Sequence, residues 1–504
     1  MDILLGGIAE VLTVTSLLAI IAGTVVGVIV GVLPGLGSVI GITMVLPFTF
    51  SLPQVPAIAL MLGVYCGSVY GGSITAIVLN TPGTPQAAAT AIEGYPMALR
   101  GDADLAIGWV TAASTLGGLF SVGVLMAGGS YLAAFSLQFT PIEYFALGIF
   151  ALICIVSVSR EALAKGLLSG TAGLFIATVG ADPIAGDLRF TFDNFQLSAG
   201  IDLIAAMVGL FAFTEMFVRV VNLWRPDQAK TFKIGFRLPP VMEWFKRWRV
   251  LLQSCGIGSF VGALPGTGAA TAAFIAYAEA RRVSKNKDNF GKGEPDGIIA
   301  PEAANNAVTG SALVPTLALG VPGDPVTAVM LGALVVQGVA PGPQLFMDNI
   351  ELVYAIFFAL ILVNLVMFAT GALGAQLFTR VLRIPEPLLI GLVIVIALVG
   401  AYGVRGNVLD IWVALAAGVL GMCMRFTGFP IVPMVIGMVL SPMIEQSLRQ
   451  GLLITRGDFL AFFQRPIALS LFILTAVILI WAIASAGRKK PVPAASLTPD
   501  DTVD

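Results

Sequence analysis

Histidine is absent from the 504 residues, and with it go the commonest general base, proton shuttle and metal ligand. A Ser-His-Asp triad and a Cys/His metal site are both excluded. Cysteine occurs four times, at Cys66, Cys154, Cys255 and Cys423. Each stands alone in an apolar or small-residue run without a CxxC spacing, so all four read as buried free thiols. Charge is scarce as well: 27 basic and 29 acidic residues make 11% of the chain, where soluble domains carry about 25%. The net charge of −2 points to no polyanionic partner and no nucleic acid. The first 99 residues hold no Lys or Arg. Asp2 and Glu10 stand where a signal peptide would have a basic stretch, so no cleaved signal is read.

What is present is apolar surface. Hydrophobic residues make 57% of the chain and the mean hydropathy is +0.95, which is the composition of a polytopic membrane protein in the lipid bilayer. Apolar stretches recur near 11–33, 57–80, 103–128, 141–159, 165–180, 201–221, 298–320, 326–346, 350–379, 385–402, 410–424, 428–441 and 466–486. Several are shorter than the roughly 20 residues of a spanning helix or are broken by Gly and Pro. Such breaks are tolerated in lipid only where the backbone faces protein or water, so they mark the places to look for function.

Basic residues set the orientation. The cluster Arg219, Arg225, Lys230, Lys233, Arg237, Lys246, Arg247 and Arg249 is placed in the cytoplasm, and alternate crossings then put 22 basic residues inside and 5 outside. Residues 251–283 begin and end among basic residues, which predicts a re-entrant hairpin with its tip at Leu264-Pro265-Gly266-Thr267-Gly268. Leu33-Pro34-Gly35-Leu36-Gly37 repeats that string between apolar arms that open outside.

The two strings lie 231 residues apart, and a second pair follows in the same order. Thr81-Pro82-Gly83-Thr84-Pro85 matches Val321-Pro322-Gly323-Asp324-Pro325 at an offset of 240. Each is followed by four spans. The expected division is therefore a first repeat over 1–221, a basic linker over 222–250, a second repeat over 251–465, an extra helix over 466–487 and a polar tail over 488–504. Two halves of opposite orientation with matched broken helices are the pattern of a secondary transporter, with its site at mid-membrane where they meet. The fold class expected is all-α, two inverted repeats with about eleven crossings and two hairpins.

The strings GVIVGVLPGLG, YGGSITAIVLNTPGTPQAAAT, GSFVGALPGTGAATAAF and PEAANNAVTGSALVPTLALGVPGDPVTAVMLGAL resemble the large membrane subunit of the tripartite tricarboxylate transporters, the TctA type, over essentially the whole chain except the tail. The resemblance implies a multi-pass carrier of the bacterial inner membrane. It implies two partners, a small transmembrane subunit and a periplasmic binding protein, a carboxylate substrate such as citrate, and an ion gradient as the driving force.

With no Lys or Arg near either tip in sequence, an anion would have to be held by backbone N–H groups at half-helix starts and by small polar side chains. The candidates are Gly35, Gly37, Ser38, Asn80, Thr81, Gly83 and Thr84 in the first half. In the second they are Gly266, Thr267, Gly268, Thr271, Asn305, Asn306 and Gly323. The competing reading is that the polar members only bond back to helix carbonyls or glue helices together. The stripe Gly23, Gly27 and Gly31, echoed by Gly258 and Gly262, reads as close helix packing. No cofactor is expected beyond a coupling cation, Na⁺ or H⁺. Asp324 leads as its ligand, with Ser73, Thr75 and Thr316 completing an oxygen shell; the alternative for Asp324 is a helix cap. Glu302 and Glu93 are expected at the water interface. A trianion entering against the membrane potential faces roughly 7 kcal/mol per 100 mV, which argues for coupling. A self-sufficient carboxylate carrier and an anion channel remain as alternatives; an intramembrane enzyme has no catalytic motif to support it, and the chain is not expected to be an enzyme.

Overall fold

A computed structural model describes residues 2–158, 163–182, 184–222, 235–381 and 384–486. Arg160, Arg225, Lys230, Lys233, Arg383, Arg488, Lys489 and Lys490 of the orientation count, and the tail 488–504, lie outside the described residues.

The first half consists of α1 (Asp2–Val11), α2 (Val14–Val32), α3 (Gly37–Thr49), α4 (Gln54–Leu79), α5 (Ala88–Leu99), α6 (Ala103–Ser136), α7 (Pro141–Val158), α8 (Leu163–Ile176), α9 (Leu203–Met207) and α10 (Thr214–Asn222). A π-turn over Val208–Phe213 joins the last two. The second half holds α11 (Val241–Ala263), α12 (Gly268–Val283), α13 (Asp296–Ser311), α14 (Leu313–Leu319), α15 (Pro325–Val336), α16 (Pro343–Asp348), α17 (Ile350–Val381), α18 (Glu386–Gly403), α19 (Val408–Thr427) and α20 (Ile431–Ile454), and α21 (Pro466–Ala486) follows. Among the described residues nine helical segments, counting the continuous run of α9, the π-turn and α10 over 203–221 as one, are long and apolar enough to cross a membrane, with four shorter apolar helices beside them. The protein is a polytopic α-helical membrane protein.

Three details depart from the sequence reading. A two-residue antiparallel pair, β1 (Gly180–Ala181) with β2 (Leu188–Arg189), interrupts the all-α pattern between α8 and α9. Glu243 and the basic Lys246, Arg247 and Arg249 belong to α11, not to a linker, because Glu243 pairs with Lys246 and Arg247 one turn on. Cys66, Cys154 and Cys255 are buried, whereas Cys423 is exposed on α19.

The hairpins form where the sequence places them. α2 and α3 are joined by Leu33–Leu36, and α11 and α12 by Leu264–Thr267. The glycine stripe explains why α2 seats so closely on α4: a Cβ at Gly23, Gly27 or Gly31 would stand 2.3, 2.6 and 2.3 Å from the carbonyl oxygens of Leu60, Val64 and Ser68. Gly258 repeats the contact in the second half, where a Cβ would stand 2.2 Å from the Ala304 oxygen. Packing between backbones is what these glycines do.

The central helices of both halves then break at matching places. α4 ends at Asn80 in the left-handed region (φ 53°) and α14 at Gly320 (φ 69°), 240 residues on. Packing across the halves is reciprocal. α6 lies on α13 while α17 lies on α4; α8 lies on α20 while α19 lies on the α9–α10 segment. The turn Pro85–Ala87 after the first break packs on α12, and α15 after the second break packs on α3. The two breaks are thus seated on each other's hairpin arms.

Candidate functional site

The second tip meets the break of its own half, and in the first half the end of α2 just before the tip does so. The Gly266 N–H donates to the Gly323 carbonyl at 2.7 Å, and Gly83 lies so near the Gly31 carbonyl that a Cβ would stand 1.9 Å from it. The backbone N–H groups proposed for an anion are largely occupied. Gly83 donates to the Gly72 carbonyl, Gly323 to the Thr316 hydroxyl and Asp324 to the Thr327 hydroxyl.

The sequence-predicted residues separate into three groups. Asn80 and Thr81 are exposed, as is Gly35, and the Thr81 hydroxyl donates back to the Leu79 carbonyl. Gly37 and Gly268 have positive φ and open space around them, so they serve the turns. The Thr267 hydroxyl is spent inside its own tip, on the carbonyls of Val261 and Leu264, and Thr271 is half-buried on α12. The third group is different. Ser38, Thr84, Asn305 and Asn306 are all buried, and Ser38 Oγ, Thr84 Oγ1, Asn305 Nδ2 and Asn306 Oδ1 have no hydrogen-bond partner among the described residues. Buried polar atoms without partners are costly, and most are satisfied in native structures.

One cation that the sequence separates from the tips comes back in the fold. Arg219, on α10, donates to the Pro34 carbonyl of the first tip and pairs with Glu215 at 3.1 Å. A basic residue thus lies at the first tip, contrary to the expectation that neither tip has Lys or Arg near it. The first tip lies beside the basic end of α10 rather than among the deep polar residues.

Asp324 bonds to none of Ser73, Thr75 and Thr316, the residues expected to complete a cation shell with it. Asp324 caps α15, its Oδ1 accepting the Thr327 N–H at 2.7 Å, and its Oδ2 accepts the Tyr65 hydroxyl at 2.5 Å. Thr316 reaches the neighbouring Gly323, Thr75 donates to the Gly72 carbonyl, and Ser73 goes elsewhere. Tyr65 was not predicted, yet a signal existed. Tyr65 and Asp324 are related to Asn305 and Thr84 by the same offset of 240. One pair is satisfied; the members of its counterpart both carry unpaired polar atoms.

Beside the second break lies a cavity of about 670 Å³, lined in part by Asp202, Gly320, Gln344, Gln446, Ser447 and Gln450. Its polar lining comes from the start of α9, from α16 and from the end of α20, outside the motif strings, while Gly320 belongs to the second break.

The model of the tripartite tricarboxylate transporter TctA family matches residues 17–436. The chain belongs to that family. Two proteins of Agrobacterium vitis are similar to it, one along nearly its whole length and one along about half. One, described as an uncharacterized 52.8 kDa protein in the TAR-I ttuC' 3' region, is 33% identical over 485 residues, 96% of each chain. The other, from the TAR-II ttuC' 3' region, is 34% identical over 233 residues, covering 46% of this chain and 96% of its own. No solved structure matches. Membership makes the protein part of a transporter with other subunits.

Two carboxylates of this TctA chain correct the expectation of solvated positions. Glu93 and Glu302 are both 0% exposed. Glu93 accepts the N–H groups of Gly291, Gly293 and Glu294 and the Tyr277 hydroxyl, tying α5 to the loop before α13. Glu302 accepts Ser73 Oγ at 2.5 Å and the Thr90 hydroxyl on one oxygen, and Ser114 Oγ at 2.8 Å on the other. In sequence both sit on polar-flanked segments that resemble helix ends. Only the packing of α4, α5 and α6 around α13 encloses them.

Proposed function

We propose that the chain is the transport subunit of a binding-protein-dependent secondary carrier that imports a carboxylate anion across the bacterial inner membrane, driven by a Na⁺ or H⁺ gradient. The observation that carries this reading is the set of unpaired buried polar atoms on Thr84, Asn305 and Asn306. α13 packs along the turn that follows Thr84, so one break and one central helix, from opposite halves, present these groups together. Thr84 Oγ1 and Asn305 Nδ2 can donate to a carboxylate, and Asn306 Oδ1 can accept a substrate hydroxyl. A hydroxycarboxylate such as citrate satisfies all three.

The halves then move about this site, the two breaks riding on the opposite hairpin arms, in the manner of inverted-repeat carriers. The test is uptake of labelled citrate into proteoliposomes holding the chain and its small subunit, with and without the binding protein, under imposed Na⁺ or H⁺ gradients. Saturable uptake that needs the binding protein and one gradient supports the proposal. Uptake without the binding protein would replace it by a self-sufficient carrier, and flux that never saturates by a channel.

A further inference from the structure

We propose that Glu302 is the residue that takes up and releases a coupling proton during transport; this rests on the reading above that the chain is an ion-driven carrier. Glu302 lies within α13 of the second half and is fully buried. Its carboxyl group accepts hydroxyls from three helices of the first half, Ser73 on α4, Thr90 on α5 and Ser114 on α6, while the Asn305 amide of its own helix lies beside it and the Tyr70 phenol of α4 is the titratable group within electrostatic reach. No Lys or Arg stands among these partners. An ionisable group at such depth in a membrane protein is expensive to keep and marks a functional site.

The chemistry of the partners separates Glu302 from the other buried carboxyl groups. Backbone N–H groups can only donate, and three of them hold Glu93 as an acceptor. One holds Asp324 in the same way, as the cap of α15. A hydroxyl can rotate and either donate or accept. Three hydroxyls can therefore meet Glu302 in either of its states. Ionised, it accepts from all three; protonated, it donates its own O–H to one and still accepts from the others. Glu93 and Asp324 each also accept one tyrosine hydroxyl, but of these three carboxyl groups Glu302 is the one that accepts from several hydroxyls and from no backbone N–H, so gaining a proton there asks only that hydroxyls turn.

The position gives the proton something to control. Hydrogen bonds to an ionised group are roughly twice as strong as neutral ones, so the carboxylate clasps α13 to α4, α5 and α6 across the two halves. Protonation converts the carboxylate and one proton into the acid, weakens the clasp and removes a buried charge. The proton enters from the side of higher proton activity and leaves to the other when the halves have moved. No further reactant is needed.

The sample for the test is the complete transporter, with its partner subunits, in proteoliposomes. Infrared difference spectra between acid and alkaline pH are expected to show a carboxylic C=O stretch that is lost in Glu302→Gln and displaced in Glu302→Asp. Uptake of labelled citrate is expected to follow an imposed pH gradient in the wild type and to lose that dependence in Glu302→Gln, while slowed exchange of citrate across the membrane shows the variant to be folded. A band untouched by Glu302→Gln, or pH-driven uptake retained by that variant, would overturn the proposal. Loss of exchange together with uptake would do the same, leaving Glu302 a structural clasp. A band that answers to Na⁺ at constant pH would give the site to sodium instead. If the wild type takes up no carboxylate under any gradient, the carrier reading falls, and the infrared titration alone then decides whether Glu302 exchanges a proton.

Discussion

At the scale of single residues, the candidate site is a contrast between polar groups whose bonds are complete and polar groups whose bonds are not. Thr267 and Thr84 are both threonines beside Pro-Gly turns, yet the Thr267 hydroxyl is consumed by the carbonyls of its own tip and the Thr84 hydroxyl has no partner. Their alanine variants should therefore differ in kind. A hydrogen bond to a charged group contributes about 1.5–3 kcal/mol, so Thr84→Ala should raise the apparent KM for citrate by about tenfold or more with little change in thermal stability. Thr267→Ala should lower stability and leave KM near that of the wild type. Uptake kinetics and thermal unfolding in detergent check both, and equal KM values in the two variants would remove Thr84 from the site. Residue type made all of these side chains eligible in the sequence; which of them have spare bonding capacity depends on neighbours brought in from other segments.

At the scale of elements, glycine is used as a spacer between helices. Gly27 has no room for a Cβ, which would stand 2.6 Å from the Val64 oxygen, while Gly123 on α6 has nothing within 4 Å. Overpacking costs about 1–3 kcal/mol; Gly27→Ala is thus expected to lower the unfolding temperature measurably and Gly123→Ala to leave it unchanged or raise it. The β1–β2 loop is held by charge instead. Asp182 accepts the N–H groups of Ala185 and Ile184 and pairs with Arg449 at 2.6 Å, and these interactions, the backbone bonds foremost, bring its carboxyl down to about 2. A depressed carboxylate stabilises the fold above its unfolded pKa, and that contribution is lost as pH falls through the folded value. Amide exchange across 180–189 should accordingly rise on acidification from the ordinary aspartate range towards about pH 2, and Asp182→Asn should show the rise already at neutral pH. An Asp182→Asn loop as protected as the wild type would show that the ion pairs hold nothing. The tips and breaks were legible as elements because Pro and Gly act locally. The start of α11 was not, since a run of Lys and Arg resembles a linker until its partner Glu243 is placed on the same helical face.

At the scale of the whole molecule, the halves exchange their supports: α6 serves α13, α17 serves α4, and each break rests on the other half's hairpin arm. Gly266 in the second tip is packed against Ile155 of α7, so a movement of that hairpin has to slide along α7. A disulfide between cysteines introduced at Thr267 and on the facing turn of α7, in a chain whose exposed Cys423 is replaced by serine, should stop citrate uptake and reduction should restore it. Undiminished uptake by the cross-linked protein would show that the hairpin and α7 do not move apart.

Composition, the paired PG-rich strings and their offsets were enough to read a polytopic α-helical membrane protein with a repeated pattern of hairpins and breaks, because hydropathy and backbone turning are properties that neighbouring residues settle among themselves. Those same strings pointed to Ser38, Thr84, Asn305 and Asn306. Tertiary structure alone decided that Glu302 and Glu93 are enclosed rather than solvated, that Arg219 returns to the first tip, and that Asp324 is satisfied as a cap with Tyr65 beside it. Burial and hydrogen-bond pairing are set between segments as much as 200 residues and more apart, and no local pattern encodes which hydroxyl will meet which carboxylate.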